Sequence, residues 1–236
     1  MLTIETGIYE YPPIWDISTP EGVDALVQEL AGEKICLTDA DETFMATADA
    51  FIHALQKQYG YTIKRTDIVE YGIEKTVARV TGLPKTTAQK ITLGIFGQPQ
   101  FYATIEPHED VIDALKELDQ HGHQIVVVTH RAKIEKAQPG ITQGWIHRHN
   151  IPCSGVIFAN PDEKVCLFST LANQVAPGSI FLEDHPTTAA NAIASTNGSN
   201  ITVGLIRRPW TENSGMPTIT ADQVVPLALG TLNFEP

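Results

Sequence analysis

The sequence predicts an α/β fold in which a mostly parallel sheet carries helices on both faces. After Pro107, amphipathic helical segments alternate with short apolar runs, and this alternation is typical of parallel strands joined by helices. Between about 45 and 106, apolar residues recur instead at three- and four-residue spacing, and glycine or proline separates the segments. We therefore expect an α/β core formed by 1–44 and 107–236, interrupted by a small helical insertion at 45–106. A chain of 236 residues can bury such a core.

The chain begins with an irregular stretch, one helix and the first strand. Residues 18–21 (STPE) supply an N-cap and an early proline, apolar residues follow at helical spacing, and Gly32 ends the helix. The apolar run at 35–37 then predicts a strand that is buried on both faces.

The remaining elements follow from the same two periodicities. Three helical segments are predicted in the insertion, at 47–60, 65–82 and 85–97. In the core we expect helices at 110–121, 141–149, 163–175 and 187–195, and strands at 124–129, 155–159, 179–182 and 201–206. The apolar run at 224–229 is predicted to form a last edge strand.

The charge of the chain restricts its partners. A net charge of −12 argues against a nucleic-acid polymer or an anionic membrane, because binding either requires a clustered basic face and the sequence contains no such cluster. A small phosphorylated metabolite remains compatible, since a divalent cation and a few basic residues can reverse the field inside one cleft. No apolar run approaches the ~20 residues that cross a bilayer, and the first residues lack a basic segment followed by an apolar one. We therefore expect a cytoplasmic protein, of an oligomeric state that the pattern does not indicate.

The three cysteines, Cys36, Cys153 and Cys166, are scattered and odd in number, and most lie in apolar surroundings. We expect buried, reduced thiols rather than a disulfide framework or a zinc site.

Polar residues suited to phosphate chemistry follow the predicted strands. Asp39 and Asp41 come directly after the first strand and leave the sheet on the same side, because side chains alternate along a strand. The second strand ends in Thr129-His130-Arg131, Lys164 follows the third, and the fourth ends in Glu183-Asp184. The carboxyl ends of parallel strands lie along one edge of a sheet, so these residues can converge on one crevice. Each has an ordinary explanation when taken alone, and their order along the chain carries the prediction.

This ordered set resembles the haloacid dehalogenase-like hydrolase superfamily. The matching elements are ICLTDADET, IVVVTHR, the lysine of NPDEKVCLF, and IFLEDHP, spread over 33 to about 208. The late segment Arg208-Pro209-Trp210 is similar to one in cytosolic 5′-nucleotidase-like members. The resemblance implies a Rossmann-like core, with the helical insertion at 45–106 in the place of that superfamily's cap.

The resemblance also implies a role for each acidic residue. Asp39 would be the nucleophile that forms an aspartyl-phosphate, and Asp41 the acid/base that protonates the leaving oxygen and then activates water. The metal ligands would be Asp39, the backbone carbonyl of Asp41, Asp184 and, directly or through water, Glu183. Oxygen donors suit a hard cation, so the implied cofactor is Mg²⁺.

The implied reaction is hydrolysis of a small phosphomonoester, with a nucleoside monophosphate as the first substrate to consider. Thr129 and Lys164 would hold the phosphoryl oxygens. His130 and His185 adjoin these motifs and are candidates for substrate contact, although packing at the rim explains either one equally well. Aromatic residues of the insertion are predicted to form its own core, with a minority facing the cleft to grip a nucleobase or sugar. They are Phe51, Tyr59, Tyr61, Tyr71 and Phe96.

One departure from the superfamily pattern and one ambiguity in the assignment of the lysine matter. Glu42 stands where many relatives have glycine, which narrows the conformational freedom of the turn and adds a negative side chain near the mouth of the site. Lys133 and Lys136 follow the threonine motif closely and are alternatives to Lys164, which we prefer because of its spacing. The second aspartate favours phosphate ester hydrolysis over dehalogenation.

Three other functions remain open. A related core can transfer the phosphoryl group to another hydroxyl, as a phosphotransferase or mutase. A receiver-like signalling module also uses acidic residues, threonine and lysine, but 156–160 (VIFAN) lacks the phosphoacceptor aspartate that such a module requires. The third is a catalytically silent binding protein on the same fold.

Overall fold

A parallel sheet forms the centre of the molecule in a computed structural model, which describes residues 11–131, 135–136 and 138–232. Within these residues the sheet has six strands in the order β1-β4-β3-β2-β5-β6, and every pairing is parallel. The strands are β1 (Ile14–Trp15), β2 (Ile35–Thr38), β3 (Gln124–Thr129), β4 (Gly155–Phe158), β5 (Ser179–Glu183) and β6 (Ile201–Leu205). The prediction of an α/β fold with a mostly parallel sheet is confirmed.

Helices connect the strands and form a separate group after β2. The α-helices are α1 (Pro20–Leu30), α2 (Thr47–Tyr59), α3 (Ile73–Thr81), α4 (Lys85–Phe96), α5 (Pro99–Tyr102), α6 (Glu109–Gln120), α7 (Ile141–Arg148), α8 (Pro161–Leu171), α9 (Pro186–Thr196) and α10 (Ala221–Ala228). A 3₁₀-helix covers Arg65–Asp67. None of the described helices is both long and apolar enough to cross a membrane.

The sheet separates two apolar layers, as expected for strands buried on both faces. Along β2, Cys36 faces one layer while Ile35 and Leu37 face the other. The second layer includes residues of α1, α8 and α9, namely Leu26, Leu30, Leu167, Phe168, Leu171 and Ala192. The first includes residues of α6, α7 and α10, namely Leu115, Leu118, Trp145, Ile146, Val224 and Leu227. This sandwich fixes β2 in the middle of the sheet, with β3 and β5 on either side.

The prediction of a last edge strand at 224–229 is wrong, because residues 224–228 lie in helix α10 and Leu229 is its C-cap. The side chains of Thr220 and Gln223 form a capping box at its start, with the Thr220 N–H donating to the Gln223 side-chain oxygen at 2.9 Å. Val224, Val225 and Leu227 are buried against the core, so the apolar run reflects helix packing rather than pairing. The sheet instead gains a two-residue edge strand at β1, which the sequence did not indicate.

The chain enters and leaves the helical insertion at one place. Met45 forms an antiparallel bridge with Pro107, and the His108 N–H donates to the Phe44 carbonyl at 2.8 Å. Helices α2 to α5 lie between these points, in agreement with the helical periodicity of 45–106, but the segment predicted at 65–82 is divided into the 3₁₀-helix Arg65–Asp67 and α3. The division of the chain into a core and a separate cap stays a prediction.

The cysteines are free thiols in three different environments. Cys36 is buried in β2, Cys153 is partly buried, and Cys166 on α8 is exposed. The expectation of buried thiols is therefore wrong for Cys166, since its position falls on the solvent side of an amphipathic helix.

Candidate active site

The ends of β2 and β5 bring three carboxylates together. The Asp39 N–H donates to the Leu182 carbonyl at 2.9 Å, which continues the pairing of these neighbouring strands past the end of β2. As a result, carboxylate oxygens of Asp39, Glu183 and Asp184 lie within 4.8 Å of one another, and all three residues are buried. We call Asp39, Glu183 and Asp184 the acidic cluster.

Lys164 supplies the positive charge next to the acidic cluster. It lies in the first turn of α8, where a capping box of Asn160 and Glu163 fixes the start of the helix. Its Nζ donates to the Asp39 carboxylate and, at 3.2 Å, to Glu183 Oε2. Only 4% of Lys164 is exposed. A buried ammonium of this kind is retained where carboxylates compensate it.

The charges in the cluster shift one another's pKa values. Burial raises the pKa of Asp39 to about 7 against the opposing effect of the Lys164 ammonium. Burial and the neighbouring Glu183 carboxylate raise the pKa of Asp184. Burial alone would lower the pKa of Lys164, but the carboxylates of Asp39 and Glu183 hold it above its ordinary value. One ammonium therefore does not balance the three carboxylates.

Asp41 lies beside the cluster, but its carboxylate is held by other partners. It accepts hydrogen bonds from Nε of Arg131 at 2.8 Å, from Nη2 of the same guanidinium, and from the hydroxyl of Thr47 at 2.6 Å. Burial would raise its pKa, but the Arg131 guanidinium outweighs this and holds the pKa of Asp41 below its ordinary value. The structure therefore does not bring the Asp41 side chain into the acidic cluster. No role for Arg131 was inferred from the sequence, although a cation two residues after the strand-end threonine was a usable signal.

The two other candidate phosphate ligands on β3 differ in position. Thr129 is completely buried, and its hydroxyl has no hydrogen-bond partner among the described residues. His130 is exposed, and the structure does not bring it into the buried cluster. Of the alternative lysines, Lys136 is exposed and Lys133 lies outside the described residues.

The segment after β6 supports both acidic turns. Arg208 donates from Nε to the Glu42 carbonyl at 2.6 Å and from Nη2 to the Thr43 carbonyl at 2.9 Å. Trp210 donates to Asp184. Residues 208–210 thus connect the turn after β2 with the turn after β5, a structural role that the sequence motif alone did not reveal.

Glu42 adopts the left-handed conformation that glycine adopts most readily. Its φ is 60°, which is uncommon for a residue with a Cβ. Its carboxylate accepts a hydrogen bond from the N–H of Ala48 and forms an ion pair with Arg65 at 2.8 Å. These contacts fix the turn to the start of α2, so the departure from glycine has a structural function.

Tyr71 of the insertion reaches the opening of the site, and Tyr102 of α5 packs over the Arg131 guanidinium. The rings of Tyr71 and His185 lie 3.9 Å apart, and Tyr71 is about half exposed at the opening. Phe51 is buried within the helical group, in contact with Phe96.

A sequence model of the family described as 5′ nucleotidase, deoxy (Pyrimidine), cytosolic type C protein matches residues 33–208. The chain belongs to this family. The match extends from the strand before Asp39 to Arg208 and confirms both the superfamily and its nucleotidase branch. This nucleotidase-family protein is a phosphatase of the haloacid dehalogenase-like type. A search of curated protein sequences finds no significant match.

Solved structures share the fold of this nucleotidase-family protein. A haloacid dehalogenase family hydrolase from Deinococcus radiodurans R1, with bound phosphate and sodium, superimposes with a TM-score of 0.52 at 14% identity, over 86% of this chain and 98% of that one. A hydrolase of the same superfamily from Ehrlichia chaffeensis gives 0.50 at 12% identity, over 86% and 99%. Protein Tyrosine Kinase A of Mycobacterium tuberculosis gives 0.55 at 15% identity, over 84% and 99%. At such identities these likenesses show the fold alone.

Proposed function

We propose that this protein is a Mg²⁺-dependent phosphohydrolase that cleaves a small phosphomonoester through an aspartyl-phosphate, with a nucleoside monophosphate as the leading substrate. The observation that carries the proposal is the convergence of Asp39, Glu183 and Asp184 with Lys164 at one edge of the sheet. The family match supports the nucleotide, and its description as cytosolic supports a cytoplasmic location.

The acidic cluster fits a hard divalent cation. Its donors are carboxylate oxygens, and the described residues place no cysteine or histidine among them. Asp39, Glu183 and Asp184 would hold Mg²⁺ together with the backbone carbonyl of Asp41. Bound there, the cation would withdraw charge from the phosphoryl oxygens and offset the repulsion that raises the pKa values of Asp39 and Asp184.

Asp39 and Asp41 divide the chemistry between them. A carboxylate oxygen of Asp39 attacks phosphorus, the bond from phosphorus to the leaving oxygen breaks, and Asp41 gives that oxygen its proton. Asp41 then takes a proton from water, which attacks the aspartyl-phosphate and releases inorganic phosphate. Asp41 is a hydrogen-bond acceptor in this structure, the form that activates water. To act first as an acid, Asp41 must gain a proton against the effect of the Arg131 guanidinium, which lowers its pKa.

Thr129 and Lys164 are proposed to hold the phosphoryl group. The Thr129 hydroxyl, which has no partner within the described part of the chain, lies at the end of β3, and the Nζ of Lys164 on α8 contacts Asp39. The contact between Tyr71 and His185 supports a cap, because it places a residue of the insertion at the opening of the site. Closure of that segment would exclude bulk water and add contacts to the leaving group.

Hydrolysis of para-nitrophenyl phosphate and of a panel of nucleoside monophosphates tests the proposal. Release of inorganic phosphate should require Mg²⁺ and should be abolished in Asp39→Asn, which keeps the size of the side chain but removes the nucleophile. Turnover that survives this substitution would overturn the assignment of Asp39. Loss of ester without release of inorganic phosphate would indicate phosphoryl transfer instead. A folded protein that turns over no phosphorylated metabolite would favour a binding protein.

A further inference from the structure

Arg131 has a buried guanidinium with one nitrogen left over. Only 2% of the residue is exposed. Nε and Nη2 both donate to the Asp41 carboxylate, and Cζ lies 4.5 Å from the centre of the Tyr102 ring, which covers one face of the guanidinium. Nη1 is buried and has no partner among the described residues. A buried N–H without an acceptor is costly, so such a group calls for a ligand.

A second unsatisfied group lies two positions earlier. The Thr129 hydroxyl is also buried and unpartnered within the described part of the chain, and Thr129 is the last residue of β3. One side of the carboxylates at this sheet edge is thus bordered by two polar groups that have no acceptor among the described residues. Their natural acceptor is an anion, because a charged donor such as Nη1 forms strong hydrogen bonds with phosphoryl oxygens.

We propose that Arg131 binds the phosphoryl group of the substrate through Nη1 while Nε and Nη2 hold Asp41. This inference rests on the proposed phosphohydrolase function and adds a substrate-binding residue to it. The same guanidinium then links the acid/base to the phosphate, and Tyr102 of α5 keeps its plane fixed. A helix of the insertion thereby sets the orientation of a phosphate ligand on the core.

The alternative is that Arg131 only holds Asp41. Binding of inorganic phosphate, measured by calorimetry with excess magnesium chloride, separates the two roles because it needs no turnover. Arg131→Lys keeps the charge but loses the fork, and the lost bond to a charged acceptor should raise Kd about 10- to 100-fold. KM for para-nitrophenyl phosphate should rise in parallel. The matched control is Arg148→Lys. Arg148 donates to the Ala103 carbonyl and lies outside the site motifs, so this variant should leave Kd unchanged.

A folded Arg131→Lys that binds phosphate as tightly as the unmodified protein overturns the assignment. If that variant does not fold, a crystal structure of the unmodified protein with phosphate decides, because Nη1 should then lie about 3 Å from a phosphate oxygen. A bound phosphate that Nη1 does not contact overturns the proposal. If Arg131→Lys still hydrolyses esters and binds phosphate with an unaltered Kd, only the role assigned to Arg131 is overturned. An unmodified protein that neither binds phosphate nor hydrolyses esters removes the proposed function as well.

Discussion

The indole N–H of Trp210 donates to both the backbone oxygen and Oδ2 of Asp184, at 3.1 and 3.2 Å. Trp210 is itself buried, so its ring cannot move away without opening the core. One donor shared between the carbonyl and the carboxylate fixes the χ angles of Asp184. In the proposed site Asp184 is a metal ligand, and loss of a group that orients a metal ligand normally weakens metal affinity.

Trp210→Phe should therefore weaken the binding of Mg²⁺. The phenyl ring keeps most of the packing but cannot donate, so the Asp184 carboxylate loses its fixed orientation. We expect the Mg²⁺ concentration that gives half-maximal activity to rise about 10-fold, measured by titrating MgCl₂ at saturating substrate.

Trp145→Phe is the control for this substitution. Trp145 is also buried, and it donates to the Ile105 carbonyl at 2.8 Å. Both residues belong to one apolar layer of the core and lie outside the site. It should lower stability without changing the dependence on Mg²⁺. Equal Mg²⁺ curves for the two variants would show that the Trp210 bond does not position Asp184.

Glu42 should stabilise the fold through its side chain despite its strained backbone. A left-handed conformation costs a residue with a Cβ roughly 1–2 kcal/mol, and the contacts with Ala48 and Arg65 offset it. Glu42→Gln keeps the size but removes the charge, and we expect it to lower the free energy of unfolding by about 1–3 kcal/mol in urea titrations.

Asp49→Asn tests whether the stabilising effect of the Glu42 side chain depends on its burial. Asp49 pairs with the same arginine at 2.9 Å, but it is half exposed, so its loss should cost less than about 1 kcal/mol. Equal losses of unfolding free energy in the two variants would show that the burial of Glu42 contributes no additional stability.

The sequence revealed strands β2 to β5 because each is a mostly apolar run that is buried on both faces. The two-residue β1 is too short for such a run to be recognised. The run at 224–229 has the same composition and is a helix, since a buried helix and a buried strand both require apolar residues. The decisive signal was local: Thr220 followed three residues later by Gln223 is a capping-box pattern. The capping-box pattern therefore distinguishes a helix from a strand at this position, which the apolar run alone does not.

The positions of the site residues followed from strand ends, but their partners did not. Asp39 and Asp184 were expected to meet because parallel strands place their carboxyl ends together. The pairing of Asp41 with Arg131 joins residues 90 positions apart, and no periodicity encodes which cation reaches which carboxylate. Such pairs depend on side-chain packing and become visible only in three dimensions.

The cysteines should react with Ellman's reagent at very different rates. The thiolate is the reactive form of cysteine. Burial raises the pKa of Cys36, and it raises the pKa of Cys153 to about 11. Both thiols therefore stay protonated at pH 8. Cys166 is exposed and should account for a single fast-reacting thiol in the native protein. All three should react in denaturant, and Cys166→Ser should remove the fast phase. More than one fast thiol would contradict this assignment of environments.

Lys164 should be the lysine on which activity depends. Its Nζ contacts the carboxylates of Asp39 and Glu183, so Lys164→Met leaves both without their neutralising charge and removes a donor aimed at the phosphoryl group. We expect kcat/KM for para-nitrophenyl phosphate to fall about 10²- to 10³-fold, the size of effect seen when one charge-stabilising donor is removed.

Lys136→Ala is the matched comparison, because Lys136 follows the threonine motif but is exposed. Its activity should stay within about twofold of the unmodified protein, as for most surface substitutions. Lys133→Ala completes the set. If either of these variants loses activity while Lys164→Met retains it, the phosphate is held by a lysine of the segment after β3, and the ion pairs of Lys164 serve only to neutralise the acidic cluster.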